Sequence, residues 1–232
     1  IKERHEAWEN LARKLAHEIK NPLTPIQLTI DKLKSKYSEK IANTEKDDFS
    51  KSLLIIGKQI KQIENLVNEF SDFARMPKPI LKDNNLVSLI KDNIKLINEL
   101  DNKIIIDFKP SKSDILLNSD SEQLSRVFFN LIKNSIESIQ DKRIDNVNFN
   151  GKIDISINEN EEIINFIIID NGLGFGIFEN NIKDILNPYF TTKKKGSGLG
   201  LSIVNKIIND HNGKINFVSL ESGAKIEIVF IK

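Results

Sequence analysis

The chain has 232 residues, with 34 lysines and arginines against 33 aspartates and glutamates, and no cysteine. Because these charges nearly cancel, the chain offers no basic field for a phosphate backbone, and we do not expect nucleic acid as a partner. The lack of cysteine excludes disulfides and thiolate metal sites. The sequence contains no run of about 18 apolar residues, so we expect no membrane contact by this segment.

The apolar pattern of the first segment predicts one long amphipathic helix. The first residue of the chain already lies within this helical pattern, with no capping residue ahead of it. We therefore interpret the chain as a fragment of a longer protein. The polar stretch from Ser35 to Asp48 interrupts the pattern and predicts the turn of a helical hairpin. The apolar stripe, in steps of three and four residues, is Trp8, Leu11, Leu15, Ile19, Leu23, Ile26, Ile30 and Leu33.

A second stripe predicts the returning helix of the hairpin. It has the heptad spacing of a coiled-coil seam and consists of Leu53, Ile56, Ile60, Ile63, Val67, Phe70 and Ala74. Two helices cannot enclose a core alone, so we expect two copies to pair as a four-helix bundle, which makes the protein a homodimer. The prolines of MPKP end the helix, and we place a domain boundary there, between residues 1–76 and 77–232.

Beyond the boundary, β-rich segments alternate with helices. The pattern predicts helices over about 86–100, 121–140 and 199–210, and strands in ILKDNNL, KIIIDF, ILLNS, KIDISIN, IINFIIID, KINFVSL and AKIEIVF. Mixed strands with segregated helices favour an α+β sandwich, in which the helices cover one face of a sheet.

His17 stands out on the first helix because it lies off the apolar stripe. It is two residues from a stripe position on either side, about 200° round the helix, so we expect it to face solvent. Glu18 could accept the Nδ1 proton and leave Nε2 as a nucleophile. Asn21 shares the face of His17, and Pro22 predicts a kink one turn on. A surface histidine in a proline-bent helix is the alternative.

Two stretches of the second domain carry polar residues that suit a nucleotide. In NLIKN, Asn130 and Asn134 share one face of a helix, and amide oxygens suit Mg²⁺, although a solvated face is the alternative. In FIIIDNGLGFG, a strand runs into Asp170, which can accept a hydrogen bond from an exocyclic amine such as that of adenine. Gly172 and Gly174 would let the backbone approach a flat ring, while a hairpin turn is the alternative reading.

The stretch NPYFTTKKKGSGLGLSIV places glycines before a helix that begins near Leu199. The free N–H groups and the positive end of that helix can face an anion, and phosphates are the natural ligands. Three lysines, residues 193–195, can add charge to this phosphate site, or can form an ordinary solvated charge run.

The motif around His17 resembles the H-box of the sensor histidine kinases. HEIKNP, with LA before it and LTPIQL after it, is most similar to the NtrY-type nitrogen-regulation sensor kinases. The resemblance implies that His17 accepts a phosphoryl group, that Glu18 acts as the base, and that Asn21 helps to hydrolyse the phosphorylated partner. Residues 1–76 would then be the dimerisation and histidine phosphotransfer domain.

The second domain resembles the Bergerat-fold (GHKL) ATP-binding catalytic domain of the same kinases. NLIKN resembles the N-box, with Ser135 where alanine is usual, DNGLG resembles the G1 box, and FTTKKKGSGLG resembles the F-box and G2 box. The resemblance implies ATP and Mg²⁺ as cofactors, with Asn134 as the metal ligand. The nucleotide-binding residues that it implies are Asn130, Asn134, Asp170, Gly172, Gly174, Phe190, Thr191, Thr192, Lys193, Gly196, Gly198, Leu199 and Gly200.

These resemblances imply the core of a protein-histidine kinase. It would phosphorylate His17 with ATP and pass the group to an aspartate of a response regulator receiver domain, and it could also act as a phosphatase toward that regulator. The family implies a cytoplasmic domain of a membrane-anchored bacterial inner-membrane sensor. A GHKL clamp-type ATPase is an alternative that gives no reason for HExxN on a dimer helix. A nucleotide-binding pseudokinase scaffold is another, against which the intact motifs argue.

Overall fold

The structure, a computed structural model, describes residues 2–41, 43–74, 76–98, 103–146, 148–175, 185–186 and 198–232. For residues 2–13, 43, 44, 73 and 145 it describes the backbone alone. The chain divides into two compact units, of which the first contains Ile1–Pro77 and the second contains Lys78–Thr192 and Gly200–Lys232. The predicted domain limits, 1–76 and 77–232, stay a prediction.

The first unit is a helical hairpin of α1, Lys2–Tyr37, and α2, Asn43–Ala74. The predicted turn over 35–48 is wrong in its extent, because α1 continues to Tyr37 and α2 already begins at Asn43. The polar stretch contains neither glycine nor proline, so both helices can extend into it from either side, and polarity alone does not end a helix. Glu45 in the first turn of α2 also suits the helix dipole.

The apolar seam of α2 divides into two rows with different burial. Residues seven apart are buried within the hairpin, namely Leu53, Ile60, Val67 and Ala74. Ile30 of α1 joins Leu53 and Ile60 in one cluster, which Leu23 and Phe49 flank. The second row of the same stripe includes Ile56 and Ile63, which stay 45% and 44% exposed. The hairpin therefore uses half of its seam internally.

The second unit is built on a five-stranded sheet in the order β2-β4-β5-β7-β6. The β2 and β4 strands are parallel, and the other neighbours are antiparallel. A separate two-stranded sheet pairs β1 with β3. The bounds are β1 Lys82–Asn85, β2 Ile105–Pro110, β3 Leu116–Ser119, β4 Lys152–Glu159, β5 Ile163–Asp170, β6 Gly213–Ser219 and β7 Ala224–Ile231.

Three helices, α3 Leu86–Asn98, α4 Ser121–Asp145 and α5 Gly200–Asp210, pack side by side, with α4 between the other two. Strands β4, β5 and β7 alternate between buried and partly exposed residues, so the buried face lies under the helices. Phe128 of α4 and Phe166 of β5 meet there with ring centroids 5.0 Å apart. The predicted α+β sandwich is confirmed. In the described helices, no segment has the length and hydropathy of a bilayer span.

Candidate active site

His17 lies on the exposed side of α1, as do Glu18 and Asn21, whereas the neighbouring Ala16 is buried. The helical spacing places His17 and Asn21 one turn apart on the same face. The Glu18 carboxylate lies 4.0 Å from Nζ of Lys14, so its described ion-pair partner is that lysine. Proton transfer from His17 to Glu18 stays a prediction.

The backbone beside His17 lacks two helix hydrogen bonds. Helix α1 runs through both Pro22 and Pro25 without ending. A proline has no N–H, so the carbonyl groups of Glu18 and Asn21, four residues earlier, have no helical donor. Local strain next to the histidine thus has a physical source, and the kink itself stays a prediction.

Asp170 ends β5 in the interior of the second unit, with only 6% of its surface exposed. It lies between Ile153 of β4 and Ala224 of β7 in the sheet. Its Oδ1 accepts a hydrogen bond from the backbone N–H of Gly172 at 2.9 Å, and its Oδ2 accepts one from Oγ of Ser135 at 3.1 Å. The carboxylate is therefore oriented from two sides.

Burial is the largest influence on the Asp170 carboxyl, and it raises the pKa above the ordinary aspartate value. Hydrogen bonds from Gly172, Ser135 and Ala224 and the ammonium of Lys142 all oppose this rise. A buried carboxyl of shifted pKa at the end of a central strand is a functional-site candidate on physical grounds.

The glycines after Asp170 stand where parts of the protein backbone meet. A Cβ atom on Gly172 would lie 2.3 Å from Oγ of Ser138. Gly174 has φ +76, and a Cβ there would lie 2.7 Å from the carbonyl oxygen of Gly223. Internal packing thus accounts for both glycines, and the approach of a flat ring to them stays a prediction.

Several residues that hold this turn escaped the sequence analysis. Ser138 on α4 accepts the N–H of Leu173 at 2.9 Å, and Lys142 on the same helix hydrogen bonds to the turn. Gly223 has φ +94, and a Cβ on it would lie 1.8 Å from the carbonyl oxygen of Asp170. The available signal was the ESGA turn between two alternating strands, which indicates a glycine turn but not its partner.

Asn130 and Asn134 are both half-buried on α4. The beginning of α5 lies beside Asn130, since a Cβ on Gly200 would be 3.9 Å from its Oδ1. Gly198 has φ +69, and Leu199 is fully buried. The structure thus brings the NLIKN motif next to the glycine-rich stretch at the start of α5. The predicted residues that lie outside the described part of the chain are Phe190, Thr191, Thr192, Lys193 and Gly196.

Within the described residues, no cluster of three or more histidines and carboxylates could hold a metal ion. The predicted ligand Asn134 offers an amide oxygen instead. Such a hard oxygen ligand fits Mg²⁺, which keeps several waters and is usually shared with substrate phosphates.

Two protein families match separate parts of the chain. The family described as histidine kinase-, DNA gyrase B- and HSP90-like ATPase matches residues 119–232. The His Kinase A (phospho-acceptor) domain matches residues 7–79. This chain belongs to the sensor histidine kinases. The presence of both segments on one chain decides this, because the second family also includes DNA gyrase B-like and HSP90-like ATPases, whereas the first is the phospho-acceptor domain of histidine kinases.

Curated histidine kinases resemble the chain over almost its whole length. A putative sensor histidine kinase NtrY-like of Rickettsia felis is 37% identical over 99% of this chain and 37% of its own length. The nitrogen regulation protein NtrY of Azorhizobium caulinodans is 36% identical over 95% of this chain and 28% of its own length. The chain thus spans about a third of the length of these relatives.

A solved histidine kinase structure also resembles the chain. It is ThkA in complex with the response regulator protein TrrA, which is 28% identical with a TM-score of 0.68. The match covers 100% of this chain and 64% of that one. The histidine kinase fold therefore extends over both units.

Proposed function

We propose that this chain is the catalytic core of a protein-histidine kinase that phosphorylates His17 with ATP and passes the phosphoryl group to an aspartate of a response regulator. The observation that carries the proposal is an exposed imidazole in the matched phospho-acceptor segment, on the same chain as a matched ATPase segment with the buried carboxylate of Asp170.

In the proposed reaction, Nε2 of His17 attacks the γ-phosphorus of ATP in line with the leaving oxygen. The new P–N bond forms as the P–O bond breaks, and ADP leaves with the electron pair of that bond. Glu18 takes the imidazole proton. The exposure of His17 and Glu18 leaves both side chains open to a nucleotide and to a regulator. The phosphoramidate is labile, so its transfer to a carboxylate is favourable.

The nucleotide site is assigned to the second unit. The Asp170 carboxylate accepts a hydrogen bond from the exocyclic amine of adenine, because this carboxylate is a buried acceptor with a fixed orientation. Gly198 and Gly200, at the start of α5, are assigned to the phosphates, and so is Lys193, which lies outside the described residues. Asn134 holds Mg²⁺, which would offset phosphate charge when bound.

The active form is proposed to be a homodimer through the hairpin. The exposed row of the α2 seam and the exposed Ile19 and Ile26 on α1 have the spacing that a second hairpin would cover. Two copies would then form a four-helix bundle.

The partner and the location are further parts of the proposal. The ThkA structure contains a response regulator, and we propose a receiver domain of that class as the partner here. Asn21, one turn from His17, is assigned to hydrolysis of the phosphorylated regulator. We further propose that the chain is the cytoplasmic part of a membrane-anchored bacterial inner-membrane sensor.

The proposal is tested by incubating the purified chain with Mg²⁺ and γ-labelled ATP beside a His17→Gln variant. We expect acid-labile, alkali-stable phosphate on the wild type and none on the variant. A His5→Gln variant is the control for loss of another histidine, and it should still be labelled.

Each other outcome has a defined meaning. Binding of ATP without labelling would favour a nucleotide-binding scaffold or a phosphatase, and the lifetime of a phosphorylated regulator with and without the chain would separate these two. Release of free phosphate without labelled protein would favour a clamp-type ATPase.

A further inference from the structure

Near the end of α4, the ammonium group of Lys142 makes three hydrogen bonds to two different turns. Its Nζ donates to the carbonyl oxygens of Asn171 at 2.8 Å and Gly172 at 2.9 Å, in the turn after β5. It also donates to Oγ of Ser222 at 2.7 Å, in the turn between β6 and β7. These bonds use all three donors of an ammonium group.

The partners of Lys142 in this arrangement carry no opposite charge. All three acceptors are neutral oxygens, and the remaining described contact is the ring of Phe149, whose centroid lies 4.6 Å from Nζ. A partly buried ammonium loses hydration, which neutral acceptors and a ring face recover only in part. The best explanation for a cation in this position is that it orders the two turns to which it bonds.

One peptide group connects Lys142 to the carboxylate of Asp170. The carbonyl oxygen of the Asn171–Gly172 peptide accepts a hydrogen bond from the Lys142 ammonium. The N–H of the same peptide donates a hydrogen bond to Oδ1 of Asp170 at 2.9 Å. A hydrogen bond at one end of a peptide polarises the group and strengthens the bond at the other end. The ammonium therefore acts on the carboxylate through the backbone.

The turn that carries this peptide is held on one side by Asn171, whose Oδ1 accepts the N–H of Lys152 at 2.8 Å and whose Nδ2 donates to the carbonyl oxygen of Asn150 at 2.9 Å. Its glycines leave the rest of the turn to other restraints. Gly172 has no side chain, and Gly174 has φ +76, a region that side chains disfavour. Across from it, Gly223 has φ +94. Glycines leave the backbone more freedom than other residues, so a turn of this kind needs restraint from outside. Lys142 restrains the turns on both sides at once.

We propose that Lys142 is a positioning residue of the nucleotide site, which holds the Asn171–Gly172 peptide so that Asp170 presents its carboxylate to the adenine amine. This inference rests on the proposed function, because it takes adenine binding by Asp170 as given. Lys142 itself touches no reacting atom.

Lys142 also favours the charged form of Asp170. Burial raises the pKa of that carboxyl, and the ammonium opposes the rise, together with the neutral groups of Gly172, Ser135 and Ala224. Removal of the ammonium therefore raises the pKa of Asp170 further. The acidic limb of nucleotide binding should move to higher pH, which a purely space-filling role of the lysine would not cause.

The test measures ADP binding by calorimetry, in the presence of Mg²⁺, for the wild type and for Lys142→Met and Lys142→Arg. We expect the methionine variant to bind about ten- to a hundred-fold more weakly, and the arginine variant to recover most of the affinity because it keeps the charge and the donors. Lys206→Met, which breaks an ion pair with Asp210 at 2.9 Å on α5, is the matched control and should bind as the wild type does.

The pH profile adds a second criterion. The pH at which half of the ADP affinity is lost on acidification should be higher for Lys142→Met than for the wild type. Wild-type affinity and an unchanged profile in Lys142→Met would overturn the inference. So would an arginine variant as weak as the methionine variant.

Two further variants keep the test decisive. If Lys142→Met does not fold, Ser222→Ala removes one acceptor of the ammonium, and an affinity loss of about threefold supports the inference while wild-type affinity overturns it. Asp170→Asn distinguishes a failure of the proposed adenine site from a failure of the positioning role of Lys142. If it binds ADP normally, the proposed adenine site falls; if it loses ADP while Lys142→Met does not, the positioning role alone falls.

Discussion

At the scale of single residues, the Asp170 carboxyl is the most constrained titratable group in the described part of the site. Burial raises its pKa in the folded chain above the value in the unfolded chain. In the pH range between these two values the folded state binds more protons than the unfolded state. Asp170 therefore contributes most to stability at low pH, and this contribution is lost as pH rises through the folded pKa.

A pH series on Asp170→Asn checks this sign. The variant cannot titrate at this position, so we expect its stability relative to the wild type to be greatest near neutral pH and to decline on acidification. Free energies of unfolding from urea titrations at several pH values provide the measurement. A difference that does not change with pH would contradict the buried, ionised carboxylate.

Gly223 is the residue for which a single added atom should matter most. A Cβ at this position would lie 1.8 Å from the carbonyl oxygen of Asp170, and φ is +94. We expect Gly223→Ala to destabilise the second unit by at least about 2 kcal/mol and to weaken ADP binding. Thermal unfolding and calorimetry would measure both effects. Glu221→Ala, at an exposed position in the same turn, should unfold at nearly the wild-type temperature.

At the scale of elements, α4 is the scaffold of the site. It carries the residues that lie against the end of β5, the turn after it and the start of α5: Asn130, Ser135, Ser138 and Lys142. Its position along its own axis therefore sets the geometry of the hydrogen bond from Ser135 to Asp170 and of the bonds that Ser138 and Lys142 make to the turn after β5. The helix start fixes that position.

The start of α4 is held by Asp120 and His211. Oδ1 of Asp120 caps the helix by accepting the N–H groups of Glu122 and Gln123, both at 3.1 Å, and Oδ2 accepts the N–H of Ile80 at 2.9 Å. Nε2 of His211 accepts the N–H of Asp120 at 2.9 Å, while its Nδ1 donates to the carbonyl of its own helix α5. The histidine at the end of α5 thus connects two helices.

We expect Asp120→Ala to cost about 1–2 kcal/mol of stability at neutral pH, the usual value of a helix cap. Burial of Asp120 acts to raise its pKa, but the hydrogen bonds from Ile80, Gln123 and Glu122 outweigh it and lower the pKa. The stabilisation is therefore present above the unfolded pKa and is lost as pH falls through the folded pKa.

Chemical denaturation of Asp120→Ala at neutral pH and below about pH 4 would measure this difference. The cost should shrink in acid. Asp141→Ala removes an exposed carboxylate from the same helix and should change stability little at either pH. Equal costs for the two variants would contradict the capping role.

The elements that could be predicted from the sequence are those whose pattern is local. Strands β4, β5 and β7 alternate strictly, and their predicted segments coincide closely with the observed ones. The order of strands in the sheet and the short hairpin turn did not follow from any local pattern. Helix α4 also runs five residues beyond its predicted end at residue 140, to Asp145.

The same distinction applies to the site. Asp170 and the two asparagines of α4 stand in recognisable motifs. Lys142 forms hydrogen bonds with residues 29, 30 and 80 positions further along the chain. Gly223, just before β7, packs against the backbone of Asp170 at the end of the neighbouring strand β5. Contacts of this kind form only when the sheet assembles, so no short stretch of the sequence predicts them.

At the scale of the whole molecule, dimerisation depends on the division of the α2 seam. Ile60 is 8% exposed and contacts α1 within the hairpin, whereas Ile63 is 44% exposed. If two hairpins pair, Ile63 becomes buried against the second copy while Ile60 already is buried in each. The two positions should therefore respond differently to substitution.

We expect Ile63→Arg to raise the dissociation constant of the dimer by at least about a hundredfold, because it buries an unpaired charge in each half of the interface. Light scattering over a concentration series would show monomers for this variant and dimers for the wild type. Leu54→Arg changes an equally apolar, 57% exposed residue outside the stripe and should remain dimeric. ADP binding should persist in Ile63→Arg, since the nucleotide site is assigned to the second unit. A dimeric Ile63→Arg would place the interface on another face of the hairpin.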